Sequence, residues 1–351
     1  MEAVFISKLK PFLDAVAASM ELYVPKKSGG HYVFFRYAPE NDRPIELNTI
    51  RACTPVKEFL FPVCELAATY PQPTVPQDVK PFAVFGLKDC DLRSIMILDK
   101  VFAQEDFQDP LYMARRRQMF IISSDCYSPA ETCFCNLFDG KGFCEKGFDL
   151  NLSMIKEGFI IEAGSKKGSD FIKKNPQLFA DVPRILLAER DKNRSGAQQQ
   201  LERNTAEFEL NGTTREIVHR NHQSDIFDAE ARNCVECQAC TRVCPTCHCF
   251  YLYDVRQKDY FAKMKMWDSC MRFSYAAVAG GANPNKILGD RLKNRLLHKF
   301  VYFPDRYGIE MCVGCGRCVD ADAGGMDLRI ILKKLGAEPK DRNIEQAKVA
   351  K

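Results

Sequence analysis

The sequence predicts an α/β domain with a mixed or parallel sheet over residues 1–225, an all-α domain over 226–336 and a charged tail over 337–351. Three observations carry this division. Fourteen of the eighteen prolines lie at or before Pro183 and the next is Pro245, so a strand-and-loop region gives way to a long helical one. In the first region the order strand, helix, strand marks a βαβ unit. In the second, cysteines recur at the pitch of chelating loops, and helical periodicity fills the intervals between them.

The elements follow in order. Residues 31–38 and 81–86 are β-branched and aromatic runs bounded by turn residues, and each reads as a strand. Asp91 is expected to cap a helix through Leu92-Arg93-Ser94-Ile95-Met96-Ile97-Leu98, entered just after Cys90. Met119-Phe120-Ile121-Ile122 is a further strand, ending just before Cys126. Strands joined by a right-handed crossover run parallel and share one edge, so Cys90 and Cys126 should meet there if the strands are neighbours. Residues 196–222 are polar and free of proline and read as a helical connector interrupted at Gly212. Asn283-Pro284 is expected to start a helix with Ile287, Leu288, Leu292, Leu296 and Phe300 near one face. Leu328, Ile331, Leu332 and Leu335 repeat the pattern, and Gly336 supplies a stop. The tail from Ala337 has little to bury and is expected to be mobile.

At 46% apolar and 27% charged residues the chain has the balance of a soluble globular protein, and its net charge of +4 gives no electrostatic case for nucleic acid. Arg115-Arg116-Arg117 reads as a solvated helix face. No apolar run approaches the length of a membrane span, and the N-terminal residues do not form a secretory signal. Seventeen cysteines are grouped in Cys-x2-Cys and Cys-x-Cys units, which chelate more readily than they cross-link distant strands, so a reducing cytoplasm is the expected compartment.

The densest run is Cys234-x2-Cys237-x2-Cys240-x3-Cys244-Pro245, answered by Cys312-x2-Cys315-x2-Cys318. Loops of this pitch wrap iron-sulfur clusters: three thiolates come from one loop and the fourth cysteine serves the neighbouring cluster. Cys244 is therefore expected to complete the set Cys312, Cys315, Cys318, and the domain to be ferredoxin-like, with two 4Fe-4S clusters. A structural zinc site is the alternative, but zinc usually takes two separated pairs. The reciprocal ligand to Cys234, Cys237 and Cys240 falls at Asp322, where a cysteine would be usual. Asp322 could ligate iron, stand beside a 3Fe-4S cluster, or leave the place to Cys247; an oxygen donor would make that cluster the atypical one.

Cys90, Cys126, Cys133 and Cys135, with Cys144 in reserve, form a further set expected to hold a third 4Fe-4S cluster at the sheet edge. Cys247, His248 and Cys249 are read as packing and hydrogen-bonding groups around cluster sulfur, Cys270 stays ambiguous beside Trp267, and Cys53 and Cys64 read as core residues. No phosphate loop, dinucleotide fingerprint or Gly-x-Ser-x-Gly elbow is present, and a flavin, whose sites often lack a short signature, stays open.

Gly86-Leu87-Lys88-Asp89-Cys90-Asp91-Leu92-Arg93, Cys126 with Cys133-Phe134-Cys135, Cys244-Pro245-Thr246-Cys247-His248-Cys249-Phe250, Trp267-Asp268-Ser269-Cys270, Gly280-Gly281-Ala282-Asn283-Pro284 and Cys312-Val313-Gly314-Cys315-Gly316-Arg317-Cys318 occur in this order. The set, spanning about residues 80 to 335, resembles the 4Fe-4S dicluster family that includes the beta subunit of cytoplasmic sulfhydrogenases and the corresponding iron-sulfur component of anaerobic sulfite reductase. The resemblance implies an electron-transfer subunit working between a flavoprotein that handles NAD(P)H and a catalytic subunit of the hydrogenase, sulfite reductase or heterodisulfide-reductase type. It implies no catalysis by this chain alone; a stand-alone iron-sulfur or flavin oxidoreductase acting on a small substrate is the alternative. Where the family pattern has Cys-Pro, this sequence has Asp322-Ala323.

Overall fold

The computed structural model describes residues 3–39, 45–71, 78–104 and 106–338; the predicted tail beyond Glu338 lies outside them. Ten strands are described: β1 (Ala3–Ile6), β2 (Glu21–Ser28), β3 (His31–Arg36), β4 (Cys64–Tyr70), β5 (Phe82–Leu87), β6 (Met119–Ser124), β7 (Leu150–Ile155), β8 (Gly158–Ala163), β9 (Phe250–Arg256) and β10 (Phe261–Trp267). Seven of them make one mixed sheet in the order β1-β8-β7-β6-β5-β2-β3. The four central strands β2, β5, β6 and β7 are parallel, and antiparallel partners close both edges.

Every residue of β5 is buried because the sheet is covered on both faces. Ala83 and Phe85 pack with Leu13, Val16 and Ile122 on one side; Val84 and Leu87 pack with Leu92, Ile95 and Tyr112 on the other. At about 1.5–3 kcal/mol for each large side chain removed from water, these two layers fix the strand ends that carry the cysteines. The β5/β6 register slips at Gly86, which adopts φ +81°. A Cβ there would strike the Asn48 side chain, whose Nδ2 donates to the Gly86 carbonyl at 2.8 Å. The slip re-aims the strand end toward the next helix.

That helix spans Asp89–Phe102 and starts earlier than expected. Asp91 sits in its first turn, where its Oδ2 accepts the Lys88 N–H at 3.1 Å, the back-reaching half of a capping box instead of the cap itself. The connector is a 22-residue helix, Arg184–Thr205, followed by a break containing Gly212 at φ +128° and a helix Thr214–Arg220. Thr213 and Glu216 cap that second helix reciprocally at 3.2 and 3.0 Å.

The C-terminal region is helical around one core: Leu292, Leu296 and Phe300 meet Leu328, Ile331, Leu332 and Leu335. Ile217 and Val218 from the connector join it, as do Phe134 and Phe138 from the loop after β6. Ile287 does not share the inner face; it precedes the helix Leu288–Leu297 and is 54% exposed. Gly336 lies inside the helix Leu328–Ala337 and does not stop it.

The all-α expectation needs correction over 250–267. Those residues form the hairpin β9/β10, which pairs antiparallel with β4 from the first half of the chain in a second sheet, β4-β10-β9. The physical reason is that the aromatic run Phe250-Tyr251-Leu252-Tyr253 pairs with β10, whose other partner is β4, a strand whose distance in sequence hides it. Buried Lys265 on β10 pairs with Glu65 across the β4/β10 ladder and ties this sheet to the α/β layer through Asp109, which caps the helix Pro110–Gln118, both at 2.5 Å. Cys64 on β4 is exposed and Cys53 half-buried, so neither is a core residue. The arginine run is also less solvated than expected, since Arg115 pairs with buried Glu65 at 2.6 Å.

Candidate iron-sulfur sites

The predicted meeting of Cys90 and Cys126 occurs. β5 and β6 are parallel neighbours, Cys90 follows the first in the opening turn of its helix, and Cys126 follows the second. Lys88 ties the two strand ends together: its buried Nζ donates to the Asn48 carbonyl at 2.6 Å, Ser124 Oγ at 2.8 Å and the Asp125 carbonyl at 2.8 Å. Cys133 and Cys135 come from the following loop, and all four cysteines line one cavity. Cys144 stays outside it, in the apolar layer with Phe148 and Leu92. Cys315 of the distant run stands on the same cavity wall.

Cys244, Cys312, Cys315 and Cys318 line a second cavity, the set expected from spacing. The two cavities are joined by a backbone seam. Phe134 N–H donates to the Gly314 carbonyl at 2.8 Å, and Arg51 Nε donates to the Cys315 carbonyl. Gly314 has φ +61°, and a Cβ there would be driven into the Phe134 carbonyl and Cys135 Cα. Gly314→Ala is therefore expected to destabilise the protein by about 1–3 kcal/mol and lower its iron content, measured by thermal melting and iron analysis.

Cys234, Cys237, Cys240 and Asp322 are the third group. Positive φ at Glu236 and Gln238 curls the Cys234–Cys240 segment into a loop before the short helix Ala239–Arg242. Burial raises the Cys240 thiol, Arg295 opposes it, and Asp322, Cys234 and Cys237 raise it further, which places these groups in one field. Asp322 Oδ1 accepts from Gly324 N–H at 2.9 Å and Met326 N–H at 3.2 Å. Cys247 is buried beside Cys244, which pushes its thiol well above the ordinary value. With Cys237 exposed and Cys234 half-buried, this group lies nearest solvent.

The thiols of the first two sets suit soft metal chemistry. Burial pushes Cys126 up to about 12, Cys318 up to about 12 and Cys312 up to about 11. Buried thiols held protonated in this way lose the proton when they bind metal. Cys244 is the exception, held well below the ordinary thiol value by its hydrogen bond from Cys247, with Lys299 and Lys57 assisting. Lys299 Nζ is 3.6 Å from Cys244 Sγ and 3.0 Å from Thr246 Oγ1. Among the described residues no three His, Cys, Asp or Glu side chains close on a single-ion position, and the sulfurs surround cavities instead.

Two orphaned atoms fit an anionic, sulfur-rich occupant. Arg295 Nε, on the second cavity, and Arg93 Nη1, beside Cys135, are buried without a hydrogen-bond partner among the described residues. N–H groups of this kind are what cluster sulfides accept.

Sequence reasoning missed the buried cations. Fully buried Arg317 bridges the first two sets, with Nη2 on Asp91 Oδ1 at 2.6 Å, Nε on the Ala52 carbonyl at 2.8 Å and Nη1 3.9 Å from Cys90 Sγ. Arg295 plays the corresponding part between the second and third, with Nη2 3.3 Å from the Cys240 carbonyl. Arg317 lies next to Cys318 and Lys88 two residues before Cys90, so both could have been flagged; Arg51 lies near no cysteine of the three sets in sequence. Trp267 does not face a cluster cavity: its ring covers Lys57 Nζ at 4.1 Å and its indole N–H donates to the Phe61 carbonyl at 2.8 Å.

Residues 233–326 match the family described as the 4Fe-4S dicluster domain. Over 249 residues, 68% of this chain and 69% of the relative, the sequence is 35% identical to sulfhydrogenase 2 subunit beta of Pyrococcus furiosus. No helix among the described residues is long and apolar enough to cross a membrane.

Proposed function

This chain belongs to the 4Fe-4S dicluster family that includes sulfhydrogenase beta subunits, and we propose that it is the subunit carrying electrons through a hydrogenase-type complex by way of three clusters in line. Cys90, Cys126, Cys133 and Cys135 would hold the first, Cys244, Cys312, Cys315 and Cys318 the middle one, and Cys234, Cys237, Cys240 with Asp322 the last. The observation that carries this reading is the position of Cys315 on the walls of both cavities, which makes the 312–318 loop the shared partition between two sites. Bound clusters would supply one-electron carriers; the chain's own residues hold them, exclude water and set their electrostatic surroundings.

The order has a functional consequence. Cys90, Cys133 and Cys135 of the first set are buried and Cys126 is half-buried, whereas the last set reaches solvent at Cys237, so the last is the end suited to meet a partner. The partners this reading calls for are a flavoprotein handling NAD(P)H and a catalytic redox subunit. An oxygen ligand at Asp322 would give the surface-proximal cluster a potential and lability of its own.

The test is anaerobic purification with measurement of iron, labile sulfide and co-purifying chains, followed by an EPR-monitored redox titration. Three separable cluster signals are expected, with Asp322→Ala and Asp322→Cys each altering one and leaving two unchanged. Zinc without labile sulfide would overturn the whole reading, and spectra indifferent to both substitutions would remove Asp322 from it.

A further inference from the structure

Three buried cations gather at the second cavity with no carboxylate partner among the described residues: Lys57, Arg295 and Lys299 are 2%, 5% and 3% exposed. Arg295 and Lys299 stand one turn apart where the helix Leu288–Leu297 widens into the π-helical turn His298–Tyr302, and both line that cavity. Apart from the cysteines, no other ionisable residue lines it among the described residues. Lys299 Nζ meets Cys244 Sγ at 3.6 Å and Thr246 Oγ1 at 3.0 Å, while Arg295 Nη2 meets the Cys240 carbonyl at 3.3 Å and its Nε is orphaned. Lys57 enters from the first half of the chain on the short helix Lys57–Leu60, and its Nζ donates to the Thr241 carbonyl at 3.0 Å and the Cys247 carbonyl at 2.9 Å. Glu310 shares the field of Lys299 but takes its hydrogen bond from Thr214.

The first set is arranged differently. Each cation there has a carboxylate beside it: Arg317 pairs with Asp91 at 2.6 Å and Arg51 with Asp320 at 2.5 Å, Lys88 lies in the field of Asp125 and Asp91, and Arg93 in that of Asp89. Burial does not separate the two sets, since each has three buried cysteines and one half-buried. The remaining difference is uncompensated positive charge. A buried cation without a counter-ion is costly, so the sulfurs of the second cavity and an anionic occupant are what balance these three, and one further negative charge there is stabilised more than in the first.

We propose that Lys299, backed by Arg295 and Lys57, makes the site of Cys244, Cys312, Cys315 and Cys318 accept an electron more readily than the site of Cys90, Cys126, Cys133 and Cys135 on the other side of the 312–318 loop. This difference presupposes the three-cluster arrangement proposed above and adds a direction to it: an electron shared between the two neighbouring sites rests in the middle one. One site is oxidised as the other is reduced by the same electron, and no bond is made or broken.

An EPR-monitored redox titration of the anaerobically purified full chain, with iron and sulfide measured on the same samples, is the test. Cys312→Ser and Cys126→Ser assign the middle and first signals. The middle signal is expected at the higher potential. Lys299→Met should weaken its one-electron reduction about tenfold or more, which is about 59 mV, and move the first signal less; Lys299→Arg, which keeps the charge, should restore most of the wild-type value. A merely structural lysine would alter iron content or melting and leave the potentials of the loaded protein alone. Wild-type protein without labile sulfide overturns the three-cluster arrangement and this proposal with it. A loaded protein whose middle site has the lower potential, or whose potentials ignore Lys299→Met, overturns this proposal alone. Should Lys299→Met not load, Lys57→Met, which removes a cation held on carbonyls instead of sulfur, must lower the same potential or the proposal falls.

Discussion

Replacing Cys315 with alanine is expected to remove one whole cluster, roughly four iron and four sulfide per chain, and to disturb the signals of a second. The first effect follows from its place among Cys244, Cys312 and Cys318 around one cavity, the second from its place on the wall of the cavity lined by Cys90, Cys126, Cys133 and Cys135. Because the loss falls in the middle of the proposed line, electrons introduced at one end should no longer equilibrate rapidly with the other. Cys144→Ala is the control: that thiol lies in the apolar layer with Leu92 and Phe148, so its loss should cost some stability and no iron. A Cys315→Ala protein with full iron and sulfide would refute the ligand assignment.

Arg317→Met should have the largest effect on stability and a separate effect on potential. The Arg317–Asp91 pair has each side chain only 1% exposed, so removing the cation strands a carboxylate in the interior, at about 3–5 kcal/mol. The substitution also removes a positive charge 3.9 Å from Cys90 Sγ and within the 312–318 loop. A nearby cation favours the reduced, more negative cluster, so its loss should lower the potential by tens of millivolts, about 59 mV being a tenfold change in a one-electron equilibrium. The double variant Arg317→Met, Asp91→Leu removes both charges of the pair. It should recover much of the melting temperature, since a buried pair can be exchanged for apolar groups, and its potentials should move back toward wild type, since the Asp91 charge that opposes the arginine at Cys90 is gone as well. Unchanged potentials in an iron-replete Arg317→Met protein would show that the arginine serves packing alone.

Legibility differed with the range of the interaction. The strands near 31–38, 81–86 and 119–122 and the helix after Cys90 were readable because periodicity and turn residues are local properties. The hairpin β9/β10 was not read, since its third partner, β4, comes from the other half of the chain and an aromatic alternation without a visible partner gives a weak signal. The Asp91 position was off by a few residues because an acidic residue in the first turn suits either the cap or the back-reaching role, and only the hydrogen bond from Lys88 distinguishes them. Ile287 satisfied the helical repeat and yet faces solvent, because it lies before the first helical turn.

Sequence by itself determined the chemistry: cysteines two residues apart must present their sulfurs from one short loop, so the grouping of Cys234 to Cys244 and Cys312 to Cys318 is a local consequence of chain geometry. It also placed Cys90 and Cys126 at one sheet edge, through the handedness of a βαβ crossover. Only the tertiary structure decided which groups are neighbours. Docking of the Gly314 loop on Phe134 puts two cavities back to back, and burial of Arg317, Arg295, Lys299 and Lys88 brings cations to sulfurs that lie far away along the chain. Burial makes those charges matter: weakly screened by solvent, each acts at a strength that no residue pattern discloses.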